Sequence, residues 1–356
     1  MLNLLLEGFD EQFCLAEDAQ RIRSRLQDEK TRLMDPGHLQ REVIGDPRWA
    51  WDFESLDEGF LQLVGPFMER EAGISHLYLQ GLREFGDFRP EHEHVIILLE
   101  YLHYSSLIED YYNFNETFAK PELDPRRCSR LTQVKFAGQY MAVYPYHLII
   151  RNTLKADERT LIRVHRWLKN TCIRWGSSRG VLLKWLGTRF SGVQRDHYFQ
   201  NSINAVCTYF LFPIITGAIM AGQTEDTVRQ LKEAVSWLTL SVKLRCERRA
   251  ILGQLDPALG PHHEKALLPI TLPGTLFLQK GLSFQDSGDC QATMAAVHEE
   301  MLAQVQSGLA QTDLAELEEQ ERRFFTEFSD RMLKIGCASG LVKRLACCLG
   351  WEEVGS

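Results

Sequence analysis

Apolar residues recur at three- and four-residue spacing through 94–110, 131–151, 158–170, 225–252 and 291–305, and alternating β-branched runs are few. That period lays an apolar stripe along one side of a helix. Breakers fall between the stripes: Asp35-Pro36-Gly37, Arg89-Pro90, Lys120-Pro121, Asp124-Pro125, Gly176-Ser177-Ser178, Gly187 and the stretch from Asp256 to Pro261. No repeat of solenoid length is evident. The pattern predicts an all-α protein of about ten or more helices with short connections, a single large helical bundle. Residues 1–70 read as an N-terminal helical extension packed on a bundle that spans 71–356.

Ile203 to Gly222 carries no charge over a length that suits a membrane span. It contains Asn204, Thr208, Pro213, Thr216 and two glycines, without close basic flanks. A helix buried in the middle of the bundle is the expected structure.

Composition adds limits. Of 356 residues, 44% are hydrophobic and 25% charged, the balance of a globular chain rather than a disordered one. Asp and Glu number 48 against 40 Lys and Arg, a net charge of −8, which argues against nucleic acid as a partner. The nine cysteines are scattered without CxxC or Cys/His metal spacing, and a chain this long buries its own core without a disulfide scaffold. No basic, apolar leader opens the sequence, so a cytoplasmic location with free thiols is expected. Cys347-Cys348 is not followed by a prenylation box.

One stretch departs from the acidic background. Between 151 and 195 lie Arg151, Lys155, Arg159, Arg163, Arg166, Lys169, Arg174, Arg179, Lys184, Arg189 and Arg195, interleaved with Trp167, Trp175 and Trp185. Such a stretch suits a membrane surface or an acidic partner, or else is a solvated helical face whose tryptophans turn inward. His92 and His94 flank Glu93 at a spacing that points them apart on a helix, and mark a helix start. His262-His263 reads as an exposed turn pair and Asp286-Ser287-Gly288-Asp289 as a loop. No P-loop, nucleophile elbow or HExxH is present.

Leu98-Leu99-Glu100-Tyr101-Leu102-His103-Tyr104-Ser105-Ser106-Leu107-Ile108-Glu109-Asp110 resembles the helix leading into the first aspartate-rich motif of the trans-isoprenyl diphosphate synthases. Asp124-Pro125-Arg126-Arg127 stands where that family has its diphosphate-binding arginine pair, and Ala137-Gly138-Gln139-Tyr140-Met141 resembles its A-G-D-F/Y-L helix start. The run from Gly217 to Gly222 resembles G-A-L-L-A-G. Leu240 to Gly253 aligns in register with the second motif, L-A-F-Q-I-R-D-D-x-x-D-L-x-G, and Lys265 to Pro269 follows like G-K-x-T-L-P. Order and spacing over about 70–300 carry the resemblance. It implies an isoprenoid-synthase bundle acting on a prenyl diphosphate, with Mg²⁺ held by carboxylates of two facing helices. Hard Mg²⁺ needs several oxygen ligands in near-octahedral geometry.

The motifs are depleted. The first reads Asp110-Tyr111-Tyr112-Asn113-Phe114, with Glu109 before it and Glu116 after; the second reads Cys246-Glu247-Arg248-Arg249-Ala250, beside Lys243 and Arg245. Metal ligands on this pattern are Asp110, Glu109 and Glu247, a set the neighbouring guanidinium groups oppose. The family's G-G-K-R-x-R-P falls on Ala72 to Tyr78, without its Lys and Arg. Three readings stay open for Arg245, Arg248 and Arg249: positive charges that replace Mg²⁺ against a diphosphate, a latch across the cavity to Glu109 and Asp110, or a solvated face. In the enzyme reading Asp110 and Glu109 are catalytic. Arg126, Arg127, Lys265, Arg245, Arg248 and Arg249 then hold the diphosphate, His103 and Glu247 are further substrate-binding residues, and Tyr104, Tyr111, Tyr112 and Phe114 line the apolar side. Ser105 and Ser106, where bulky family residues limit chain length, imply a deep pocket. The activity implied is that of a cyclase or prenyltransferase; the alternative is a non-catalytic subunit that pairs with an active isoprenyl diphosphate synthase. A homodimer or such a heterodimer is implied; the basic aromatic stretch leaves contact with a membrane surface open, without a span.

Overall fold

The computed structural model describes residues 16–33, 73–86, 88–116, 138–139, 142–146, 148–188, 192–252, 294–308, 310–337, 340–349 and 351, without the side chains of 16, 107–116, 183, 186–187, 250, 294–299 and 348. Among the described residues there is no strand. Ten α-helices follow in order among the described residues: α1 Ala16–Leu33, α2 Gly73–Phe85, α3 His94–Glu116, α4 Glu158–Gly187, α5 Arg195–Ala205, α6 Leu211–Met220, α7 Glu225–Ile251, α8 Met294–Gly308, α9 Gln311–Lys334 and α10 Gly340–Cys348. The expected all-α bundle is the observed fold.

The short helix α6 lies at its centre, packed on α2, α4 and α7, and from Leu211 to Ile219 every residue is buried. Helices α2 and α3 lie side by side, with α1 and α10 against α2. On the other side, α7 and α9 form the most extensive helix pair among the described residues, and α5 bridges α4 to α7.

The uncharged stretch is not one helix. Residues 203–205 end α5, a turn occupies 206–210, and α6 begins at Leu211. Pro213 explains the restart: it is the third residue of α6, where a missing N–H breaks no intrahelical bond, whereas in a continuous helix it would remove one. No helix among the described residues is long and apolar enough to cross a membrane. A second departure lies in α4, which runs unbroken through Gly176-Ser177-Ser178. Glycine in a helix costs about 1 kcal/mol; here Trp175, Arg179 and Leu182 are buried on the same helix and the Ser178 hydroxyl donates to Asn201 O at 3.0 Å, anchoring it on α5. Arg89-Pro90 behaves as expected: Pro90 opens a 3₁₀ turn, and His92 Nδ1 accepts the Arg89 N–H at 3.1 Å. That histidine caps a helix start.

The α2–α6 crossing depends on two glycines. A Cβ on Gly217 would stand 3.0 Å from Leu82 N and Tyr78 O, and one on Gly81 3.3 Å from Ile214 O. The backbones touch there, so the chain cannot yield by turning a side chain. Gly217→Ala is expected to lower stability by about 1–3 kcal/mol through overpacking, read as a lower midpoint in urea unfolding. An unchanged midpoint would mean that the helices are not in this contact.

Candidate functional site

The first half of α3 carries polar side chains deep into the bundle. Glu100 is fully buried and accepts a short hydrogen bond from the Ser75 hydroxyl of α2, inside the Ala72–Tyr78 stretch that lacks the family's basic residues. Burial pushes the Glu100 carboxyl up to about 7, against the Ser75 and Tyr104 groups that pull it down. One turn on, burial pulls His103 down to about 3, so its imidazole is neutral. Its ring meets Tyr209 edge-on at 5.3 Å and stands 6.0 Å from Tyr104. Ser105 donates to Gly138 O at 3.0 Å, and Ser106 reaches Thr208 Oγ1 at 3.3 Å. The two small residues thus fix helix contacts, and Tyr104 packs in the core.

Helix α7 places its charges on two sides. Towards α5, Lys243 Nζ lies 2.9 Å from Glu247 Oε1, one turn along the helix, and the Tyr198 hydroxyl donates to the same oxygen at 2.8 Å. The ammonium stands 5.4 Å from the centre of the Tyr198 ring, which stacks on Trp185. Lys243 and Glu247 are both buried.

Towards α9, Arg245 and Arg248 converge on Glu321, which has no exposed surface. Arg248 Nε donates to Oε2 at 3.1 Å, and Arg245 Nη1 lies 3.5 Å from Oε1 while donating to Leu349 O at 2.9 Å. Arg248 also reaches Glu318 at 3.4 Å. Ser241 donates to the Glu321 carbonyl at 3.0 Å, so the main chain of α9 is tied to α7 at the same level. Burial pushes the Glu321 carboxyl up, and the two guanidinium groups hold it down.

These placements correct two expectations. Arg245 and Arg248 do not present free positive charge to a diphosphate, nor lie on a solvated face: their side chains are 13% and 18% exposed and a protein carboxylate holds both. Among the described residues their partner is Glu321 on α9; the expected latch to Glu109 and Asp110 falls on side chains outside the described residues. Arg249 is half-buried at the end of α7. Backbone positions 109–114 belong to α3, while the side chains of Glu109, Asp110, Tyr111, Tyr112 and Phe114 lie outside the described residues, as do Arg126, Arg127 and Lys265 entirely.

The second motif does not fit a divalent ion. Mg²⁺ needs several hard oxygen ligands, and here a single carboxylate is offered, with an ammonium already on it. Cys246 is buried with its thiol pushed up to about 12, so it is no thiolate ligand at neutral pH. Among the described residues no group of three or more His, Cys, Asp or Glu could hold a metal.

The basic stretch resolves into α4. Trp167 and Trp175 turn inward, while Arg159, Arg166, Lys169, Arg174 and Lys184 are exposed together with Ile162, Ile173 and Val181. Arg163 pairs with Glu225 at 2.8 Å.

The fold is that of the isoprenyl diphosphate synthases. The chain superposes on a geranylgeranyl pyrophosphate synthetase from the archaeon Geoglobus acetivorans with a TM-score of 0.58 and 11% identity, over 94% of this chain and 99% of that one. For a decaprenyl diphosphate synthase from Rhodobacter capsulatus the TM-score is 0.58 at 15% identity, over 98% and 99%. A geranylgeranyl pyrophosphate synthase from Corynebacterium glutamicum, complexed with isoprenyl diphosphate and magnesium, gives 0.58 at 13%, over 94% and 99%. No protein-family profile and no curated protein matches the sequence.

Sequence reasoning passed over Glu321 and Tyr198. The signal for Glu321 was present: Leu314, Leu317, Phe324, Phe328 and Met332 form the apolar stripe of α9, and Glu321 falls on it. A carboxylate on such a stripe must find a cation.

Glu100 yields a pH signature. Its folded-state pKa lies above the ordinary carboxylate value, so the folded protein holds the extra proton and loses this contribution as pH rises from about 4.5 to about 7. Urea unfolding of wild type against Glu100→Gln should show a difference in stability that grows against the wild type across that interval and levels off above it. A pH-independent difference would mean that the carboxyl is not desolvated.

Proposed function

We propose that this protein is a non-catalytic subunit with the isoprenyl-synthase fold, which associates with an active isoprenyl diphosphate synthase and tunes its product length. The observation that carries this reading is the commitment of Arg245 and Arg248 to Glu321. A leaving diphosphate must be neutralised before its carbon–oxygen bond can break, and the fold's second helix here directs its cations to protein carboxylates. The exposed face of α4, with five exposed basic residues beside Ile162, Ile173 and Val181, is a surface for the acidic side of such a partner, or for an anionic membrane surface. A homodimer through this face would set like charges together.

One observation favours a second reading, an enzyme acting on a prenyl diphosphate as a cyclase or prenyltransferase. The neutral His103 is buried against Tyr104 and Tyr209 on the helix that leads into the first motif, a polar cluster inside the bundle. In that reading Arg126, Arg127, Lys265 and Arg249 hold the diphosphate. Asp110 and Glu109 take what Mg²⁺ is bound, Glu247 being withdrawn to Lys243, and Tyr111 and Phe114 line the chain.

Incubation of the purified chain with geranyl, farnesyl and geranylgeranyl diphosphates, with and without Mg²⁺, separates the two. The subunit reading predicts no turnover by the chain alone and a shifted product length when it is co-expressed with an active synthase. Turnover of any of the three by the isolated chain contradicts it.

A further inference from the structure

A buried carboxylate must be neutralised or protonated, because removing it from water costs several kcal/mol even after relaxation. Glu247 meets this demand within its own helix. Lys243 lies four residues earlier, where side chains share a face, and its ammonium and the Tyr198 hydroxyl both end on Oε1. The lysine stem crosses the buried interface between α7 and α5, and Tyr198, itself stacked on Trp185, covers the ammonium with its ring. The cation therefore has its counter-charge, an aromatic face and an enclosing wall, all supplied by the chain. Lysine can do this because its charge is a compact ammonium on a flexible stem.

We propose that Lys243 is the resident counter-cation of the α7 carboxylate, a tethered ammonium where the fold family implies a divalent ion, and that it keeps Glu247 from binding such an ion. The geometry gives this its force. A divalent ion bonded to Oε1 at about 2.1 Å would lie no farther than about 5 Å from Nζ, and two like charges that close in a dry interior repel strongly. Loss of the metal at this motif is then a consequence of a specific lysine as well as of missing aspartates. The inference concerns metal binding and stands whether the protein is a subunit or an enzyme.

Titration of the full-length chain with Mn²⁺, followed by the paramagnetic resonance of the free ion, with Mg²⁺-dependent thermal midpoints in parallel, tests it. Wild type and Glu247→Gln should bind Mn²⁺ alike. Lys243→Gln should bind it about tenfold or more tightly, the scale on which neighbouring groups alter metal affinity, and adding Glu247→Gln should abolish the gain. Lys243→Arg should behave as wild type. Mn²⁺ binding by the wild type that disappears in Glu247→Gln would overturn the proposal, as would a folded Lys243→Gln without the gain. Should Lys243→Gln not fold, the comparison of wild type with Glu247→Gln still decides: equal binding supports the proposal and a loss refutes it.

Discussion

Two carboxylates without access to water hold α7 in place. Glu321 projects from α9 into the α7–α9 interface, and Glu247 projects from α7 towards α5. An unpaired charge in either position would be strongly destabilising, on the order of 3–5 kcal/mol when one partner of a buried pair is removed. Each is met by cations on α7 itself: Arg245 and Arg248 for the first, Lys243 for the second. The register of α7 against both neighbours follows. A slide or rotation of the helix would pull the cations from their partners, whereas apolar packing alone tolerates such slips more readily. The Ser241 bond to the Glu321 carbonyl and the Arg245 bond to Leu349 O fix the same level of the bundle.

The consequence for function comes from where those cations point. A helix whose charges are turned onto its own protein has less to offer a phosphate group. The chain shares the shape of synthases with which it is only 11–15% identical, and a shared bundle does not by itself carry a shared chemistry. The buried polar residues of α3 differ in kind. Burial keeps His103 neutral and raises the Glu100 carboxyl to about 7, so the inner half of this helix carries less fixed charge than its residue types would give in water.

Much of the fold was legible in periodicity. The helices at 94–116, 225–251 and 294–308 begin and end close to where the apolar stripes do, because each stripe is the face that the bundle buries. The stripe failed where every face is buried. Through 203–222 no polar side remains to mark a period, and Pro213 was a better guide to the break than the absence of charge. It failed again at Gly176, where burial of Trp175 and Leu182 outweighs the local preference of two small residues. At the site, the scarcity of aspartates and the run of basic residues along 243–249 could be read directly from the sequence. Which way Arg245 and Arg248 turn could not, because that depends on Glu321, some 73 residues from Arg248 along the chain and one helix away in space. The position of Glu321 on an apolar stripe was the available hint; its partners were not.

A double-mutant cycle between Arg248 and Glu321, read by urea unfolding, tests the central claim most directly. If the α7 arginines are counter-charges for a buried carboxylate, Arg248→Gln and Glu321→Gln should each destabilise the protein. The pair together should then cost less than the sum, by a coupling of about 0.5–3 kcal/mol. Strictly additive effects would show that Arg248 does not serve Glu321, and would return it to the groups free to meet a diphosphate.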